Sequence, residues 1–351
     1  MTDANTPASA PGAAPAAAPA PRERGWRRLI AAVAALLIVP ALPPFSTALP
    51  VRETLLLLVT CLAACTLVGW WRGGRIWLAL VWCALAAWTL TLSPAPLTAY
   101  DRLTRGWVLL LAAAFGVASL VNASRPFFVR ALSAVALAGA AAGGILLWVP
   151  EGPERVARVV RDELAQRSAA EVAQWRTSRA QAERGLFARI PQAASMLDQT
   201  EESMRAVPEG ATRVFPALLA LESLAALGIA WSLFHRASRT RIGPPLAPLR
   251  EFRFSDQLVW ALIVGIAALL LPSLAGVRGP GLNLLVFFGA LYALRGLGVL
   301  AWFFTPSRSV TTVLVGVALL LLMRDGAAFA LGLVGIGDTW LDWRNRARPT
   351  T

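Results

Sequence analysis

Lysine is absent from this 351-residue chain, so all 33 basic residues are arginine. Histidine occurs once, as His235, which excludes an HExxH site or any metal centre built on several imidazoles. The three cysteines, Cys61, Cys65 and Cys83, all fall in apolar runs. Cys61 and Cys65 share a helix face, but no further thiol or imidazole completes a metal site, so they read as small packing residues. There is no Walker loop, and Gly296-Leu297-Gly298 lies inside an apolar run, where a dinucleotide-binding turn cannot form. The sequence therefore points to no cofactor, no metal and no catalytic residue. Charge is also scarce, at 15% of residues, against roughly 25% in a soluble domain.

What is abundant is apolar surface: 57% of the residues are hydrophobic and the mean hydropathy is +0.59. No water-soluble core hides that much. The apolar residues fall into recurring runs: one from Leu29, then 53–71, 75–93, 106–122, 127–149, 214–234, 257–276, 282–304, 309–323 and 327–342. Most approach the ~20 residues that cross a hydrocarbon core as a helix. The expected fold is all-α, a polytopic transmembrane bundle of about ten spans. It has nine if the two short C-terminal runs do not both cross. Tryptophans at run ends, among them Trp70, Trp107, Trp148 and Trp302, fit the aromatic belts of a bilayer.

Arginine placement orients the chain. With the N-terminus inside, the inner segments hold seventeen arginines and the short outer loops five. That is the positive-inside bias, and an even span number puts both termini in the cytoplasm of a cell with an inner membrane. The net charge of +13 is thus a topology signal, and nucleic acid is excluded because no basic stripe with interleaved aromatics occurs. Residues 1–25 form an Ala/Pro-rich tail that cannot build a core. Residues 26–150 make an N-terminal membrane half, 214–346 a C-terminal one, and 347–351 a short tail. The basic stretch before Leu29 resembles a signal peptide, but Pro40, Pro43 and Pro44 interrupt the run, which favours an uncleaved first span.

The segment 151–213 breaks the pattern. It carries ten arginines and ten carboxylates and is expected to face outward as an amphipathic helical insertion. Val156, Val160 and Leu164 repeat at helical spacing, and Pro191 and Pro208 are expected to end helical pieces. It is either a hairpin packed on the membrane domain or a docking surface for a protein partner. A second contact surface is the inner loop 236–255, whose arginines and Phe252 and Phe254 suit anionic headgroups.

Several stretches of the C-terminal half carry a family resemblance. They are Phe215-Pro216-Ala217-Leu218, Pro248 through Phe254 before Leu258-Val259-Trp260, Asn283-Leu284-Leu285, Gly289 through Leu297, and Gly337 through Arg344. Over residues 210–346 the chain resembles the YybS-like family of predicted bacterial membrane proteins. The resemblance implies a membrane protein with a distant similarity to the substrate-binding subunits of energy-coupling-factor transporters. It carries no substrate and no catalytic residue.

Polar residues inside apolar runs are the remaining candidates, because an ionisable group in a span costs roughly 2.5–3.5 kcal/mol and normally has a partner. Glu222, Arg295 and Asp338 stand out, with Asn283 and Tyr292 beside them as a ligand path. At ~1.5 Å per residue, Arg295 and Asp338 lie roughly 20 and 18 Å into their runs and Glu222 roughly 12 Å, so Arg295–Asp338 is the expected pair. Gly335-Ile336-Gly337-Asp338 and Tyr100-Asp101 spell the signatures of intramembrane aspartyl proteases. Those enzymes need two facing carboxylates, whereas Asp101 falls in an outer loop. Gly332, Gly335 and Gly337, and the Gly139/Gly143 pair, read as close-packing positions. Two function classes fit: a transport-type or small-ligand-binding membrane protein, and a non-catalytic envelope scaffold acting through 151–213.

Overall fold

The computed structural model describes residues 26–38, 45–92, 97–182, 191–238, 242–304 and 326–346, and every structural statement below concerns these. The run 309–323 and both tails lie outside them. The described chain is helical, with no strand. In order come α1 (Trp26–Ile38), α2 (Phe45–Ala48), α3 (Val51–Trp71), α4 (Ile76–Thr91), α5 (Ala99–Val121) and α6 (Phe127–Trp148). Then follow α7 (Gly152–Ala182), α8 (Pro191–Ala237), α9 (Val259–Leu270), α10 (Arg278–Phe304), α11 (Ala327–Leu341) and α12 (Trp343–Arg346). Five stretches are long and apolar enough to cross a membrane: α3, α5, α6, Asp198–Ala237 within α8, and Pro272–Phe303. α1, α4, α9 and α11 are apolar but shorter. In the run 257–276, only Val259–Leu270 is α-helix, flanked by 3-10 turns at Asp256–Leu258 and Pro272–Val277.

Local chemistry sets the ends of the elements. Thr98 and Asp101 form a reciprocal capping box that opens α5. Pro50 and Pro126 stand immediately before α3 and α6, where a missing N–H is harmless. α11 stops at Asp342, whose left-handed backbone (φ 43°) turns the chain back into α12.

α8 organises everything else. Its 47 residues extend about 70 Å, roughly twice the thickness of a hydrocarbon core. Pro208 and Pro216 both lie inside it, so Pro208 does not end a helical piece as expected. The boundary at 213/214 falls within one continuous helix, and the exported segment and the following span share a single rod.

Two cores lie along that rod. One joins α3, α5, α6 and α8, with Leu57, Cys61, Leu111 and Trp231 among its buried residues and Phe115 and Phe127 against the Trp231 ring. Arg130 is buried here, its guanidinium 4.2 Å from the Trp231 ring centroid. The other joins α8 to α9 and α10 through Ala217, Leu262, Phe287 and Tyr292, closed by Phe254 from the loop before α9. α10 and α11 touch backbone to backbone. A Cβ on Gly296 would run into the Leu331 carbonyl, and one on Gly335 into the Tyr292 carbonyl. The close packing expected at Gly335 is therefore present. That expected at Gly332, Gly139 and Gly143 is not, since a Cβ on any of them meets nothing.

Candidate functional site

The pair expected between Arg295 and Asp338 is formed, and it is part of a larger network. Arg295 Nε donates to Asp338 Oδ2 at 3.0 Å and its Nη1 to Asp256 Oδ1 at 2.9 Å. Arg344 reaches the same carboxylate from α12, donating through Nη2 to Oδ2 at 2.6 Å and through Nε to Oδ1 at 3.2 Å. Its Nη1 donates to the Arg250 and Phe252 carbonyls at 3.0 and 3.2 Å. The Asp338 side chain is fully buried and the two arginine side chains are 3% and 2% exposed. One carboxylate with two guanidiniums, each also bonded elsewhere, ties α10, α11, α12 and the 249–256 loop into a lock. Buried charge is tolerated in this form because every member has a partner. Tyr292, one turn before Arg295, is buried with its ring against Phe254.

Asn283 does a different job. Pro216 leaves α8 without one amide hydrogen, and its ring crowds the preceding turn. The Ala217 N–H, which would normally bond the Arg213 carbonyl, instead donates to Asn283 Oδ1 at 2.9 Å. Asn283 Nδ2 donates to the Arg213 carbonyl at 2.9 Å and to the Gly279 carbonyl at 3.0 Å. The carboxamide is spliced into the gap and satisfies both freed groups. This is how a proline is accommodated inside a helix without leaving those backbone groups unpaired.

Glu222 stands apart from both. It accepts from Thr54 Oγ1 of α3 at 2.6 Å. The residues expected to form one path therefore occupy three places. Asn283 and Arg295 alone are separated by twelve residues of α10, or about 18 Å. The two acidic residues of the protease-like signatures are also separate, Asp101 capping α5 and Asp338 holding Arg295 and Arg344. Among the described residues no His/Cys/Asp/Glu group could hold a metal ion.

Besides Arg344, the features that the sequence does not announce lie at the hairpin end. α7 and the first half of α8 run antiparallel, as the Ser168 hydroxyl bonding the Met204 carbonyl (3.0 Å) and the Arg176–Glu201 pair (2.9 Å) show. One face of α7 lies on the bundle: Val160 and Leu164 pack with Ala48, Tyr100 and Ala211. Arg167 on that face pins it down. Its Nη2 donates to Glu53 Oε1 at 2.6 Å and its Nε to Glu163 Oε1 at 2.9 Å. Glu53 Oε2 accepts from the Tyr100 hydroxyl at 2.8 Å, and the Arg167 guanidinium covers the Tyr100 ring at 4.6 Å. Thr47 Oγ1 also donates to Glu171 Oε2 at 2.5 Å. Glu53 opens a run of leucines as its only charge, which was the one available signal.

The adjacent face of α7 bounds an open groove of about 850 Å³, whose far wall is α8. Its floor is small and apolar (Ala165, Ala169 and Val172), and Arg161, Arg176, Arg205 and Arg213 stand along its walls with Glu209. Arg176 and Arg205 both bond Glu201, at 2.9 and 2.5 Å. Arg213 bonds only the exposed Glu209 (2.5 Å), and Arg161 forms no ion pair among the described residues. Asp198 and Glu202 join Glu201 at the far end, so cationic surplus is greatest at the end of the groove nearest the apolar part of α8.

Residues 179–339 match the model of a family described as a predicted membrane protein (DUF2232). The matched segment is a little under half of the chain, and it agrees with the YybS-like resemblance of the C-terminal half. No curated protein and no solved structure matches the chain. The apolar helices and this match identify a membrane protein in a lipid bilayer. The match begins at Arg179, so it includes the α8 wall of the groove and leaves the α7 wall outside.

Proposed function

We propose that this chain is a non-catalytic, bilayer-embedded binding platform whose working part is the α7–α8 hairpin. In this reading the spans, about ten or nine in number, anchor the hairpin on the extracytoplasmic face of the cell membrane, with both termini in the cytoplasm. The observation that carries the proposal is the open groove of about 850 Å³ between α7 and α8, of a size that takes ligands, set on helices held to the bundle by the Glu53–Arg167 contact. The contrast with the spans supports it. Glu222, Asn283, Arg295 and Asp338 are each engaged by another part of the chain, so a polar path through the bilayer would have to break contacts that hold the helices together. A transport-type role gains no such support.

Photocrosslinking in the native membrane tests this. A photoreactive residue at Ala169, on the groove floor, should trap a discrete partner. The same residue at Tyr292 should trap only neighbouring helices of this chain. A small molecule captured at Tyr292, with nothing captured at Ala169, would sink the platform reading and restore a ligand path among the spans.

A further inference from the structure

We propose that the membrane-proximal end of the α7–α8 groove binds the phosphate headgroup of an anionic lipid. This rests on the reading of the hairpin as the working part and names the chemistry it takes. Arg213 is the last charged residue before the apolar run that begins at Val214. Because α7 and α8 are antiparallel, with Ser168 beside Met204, Arg161 comes level with this same stretch of α8. The two arginines therefore flank the groove where it meets the lipid surface. At the distal end, Arg176, Arg179 and Arg205 stand beside three carboxylates, Asp198, Glu201 and Glu202, so charge there is balanced. At the proximal end, Arg161 has no ionic partner among the described residues, and Arg213 has only Glu209. The Arg213 and Glu209 side chains are 66% and 76% exposed.

Guanidinium chemistry narrows the ligand to phosphate or carboxylate, since the planar fork matches either in a bidentate way. The source is decided by position. The proximal end adjoins the bilayer, where lipid is held at high local concentration, and basic residues at that level each contribute to anionic lipid binding. The small apolar floor of Ala165 and Ala169 leaves room for the glycerol backbone beside the phosphate.

Full-length protein in phosphatidylcholine nanodiscs, doped with a photoreactive phosphatidylglycerol, provides the test. Labelling is expected on the segments around Ala165–Ala169 and Pro208–Arg213. Arg161→Gln should lower it about fivefold, and Arg161→Gln with Arg213→Gln about thirtyfold. Arg176→Gln with Arg205→Gln, at the neutralised end, should change it by less than about twofold. All four side chains are exposed, and circular dichroism confirms folding of each variant. Undiminished labelling in the proximal double variant overturns the proposal. Displacement by inorganic phosphate at the concentration of the lipid overturns the lipid as the source, and displacement by an acidic peptide points to a protein partner instead. An Ala169 crosslink that survives without lipid labelling overturns the lipid and leaves the hairpin reading standing.

Discussion

The two ends of α8 use arginine in opposite ways. On the side of the 249–256 loop, Arg295 and Arg344 are buried and converge on Asp338, with donors left over only for Asp256 and two loop carbonyls. On the hairpin side, Arg161, Arg176, Arg205 and Arg213 are exposed around an open groove. Arg295 and Arg344 spend their donors on partners inside the fold, so the first group is structural. A guanidinium left at the surface keeps its bonding capacity for something else, and the second group is where ligand binding is available. The same residue type thus gives a lock at one end and a receptive surface at the other.

The largest effect should come from breaking the lock. Asp338→Ala leaves the buried Arg344 without a counter-charge and Arg295 with Asp256 alone, and should cost about 3–5 kcal/mol, read as loss of thermal stability in detergent. Substitution at the helix contact follows. Gly335→Val puts side-chain atoms into the Tyr292 carbonyl and should cost about 1–3 kcal/mol by forcing α10 and α11 apart. Asn283→Ala strands the Ala217 amide and the Arg213 carbonyl, for about 1–3 kcal/mol. Adding Pro216→Ala lets α8 close its own bond, so the double variant should regain most of that loss. Purely additive costs in this cycle would show that the carboxamide is not a splice.

On the hairpin side the scale drops. Arg167→Gln should cost roughly 1–2 kcal/mol through the charge-assisted bonds to Glu53 and Glu163, and it should appear as faster hydrogen exchange in α7 with the spans unaffected. Arg161→Gln should change stability by less than about 0.5 kcal/mol. A large stability loss in that variant would erase the distinction between the two ends.

Much of the frame is legible in the sequence because bilayer crossing is a one-dimensional constraint. Run length and arginine placement anticipate α3, α5, α6 and α10, and comparison of depth along the runs finds the Arg295–Asp338 pair. Arg344 is missed because it reads as one more arginine near the end of the chain, and only the left-handed turn at Asp342 brings it back to Asp338. The Glu53–Arg167 contact joins residues 114 apart, and nothing local announces it. Pro208 misleads for a related reason. A proline inside a helix is a break only if the surroundings leave its turn unsupported, and here α8 runs through it. Glu222 and Asn283 stand out in the sequence as polar residues in apolar runs, but their partners, Thr54 and the α8 backbone, depend on how helices far apart in the chain pack.

Arg295→Gln bears most directly on the claim that the polar residues of the spans hold the fold while the hairpin does the binding. Glutamine keeps polarity at the position and loses the charge and the bidentate reach that serve Asp338 and Asp256 together. Thermal unfolding of the purified full-length variant should show a stability loss of about 3 kcal/mol or more, with lower abundance in the membrane. An unfolding temperature equal to that of the unmodified protein would contradict the account and mark Arg295 as a residue kept for a ligand.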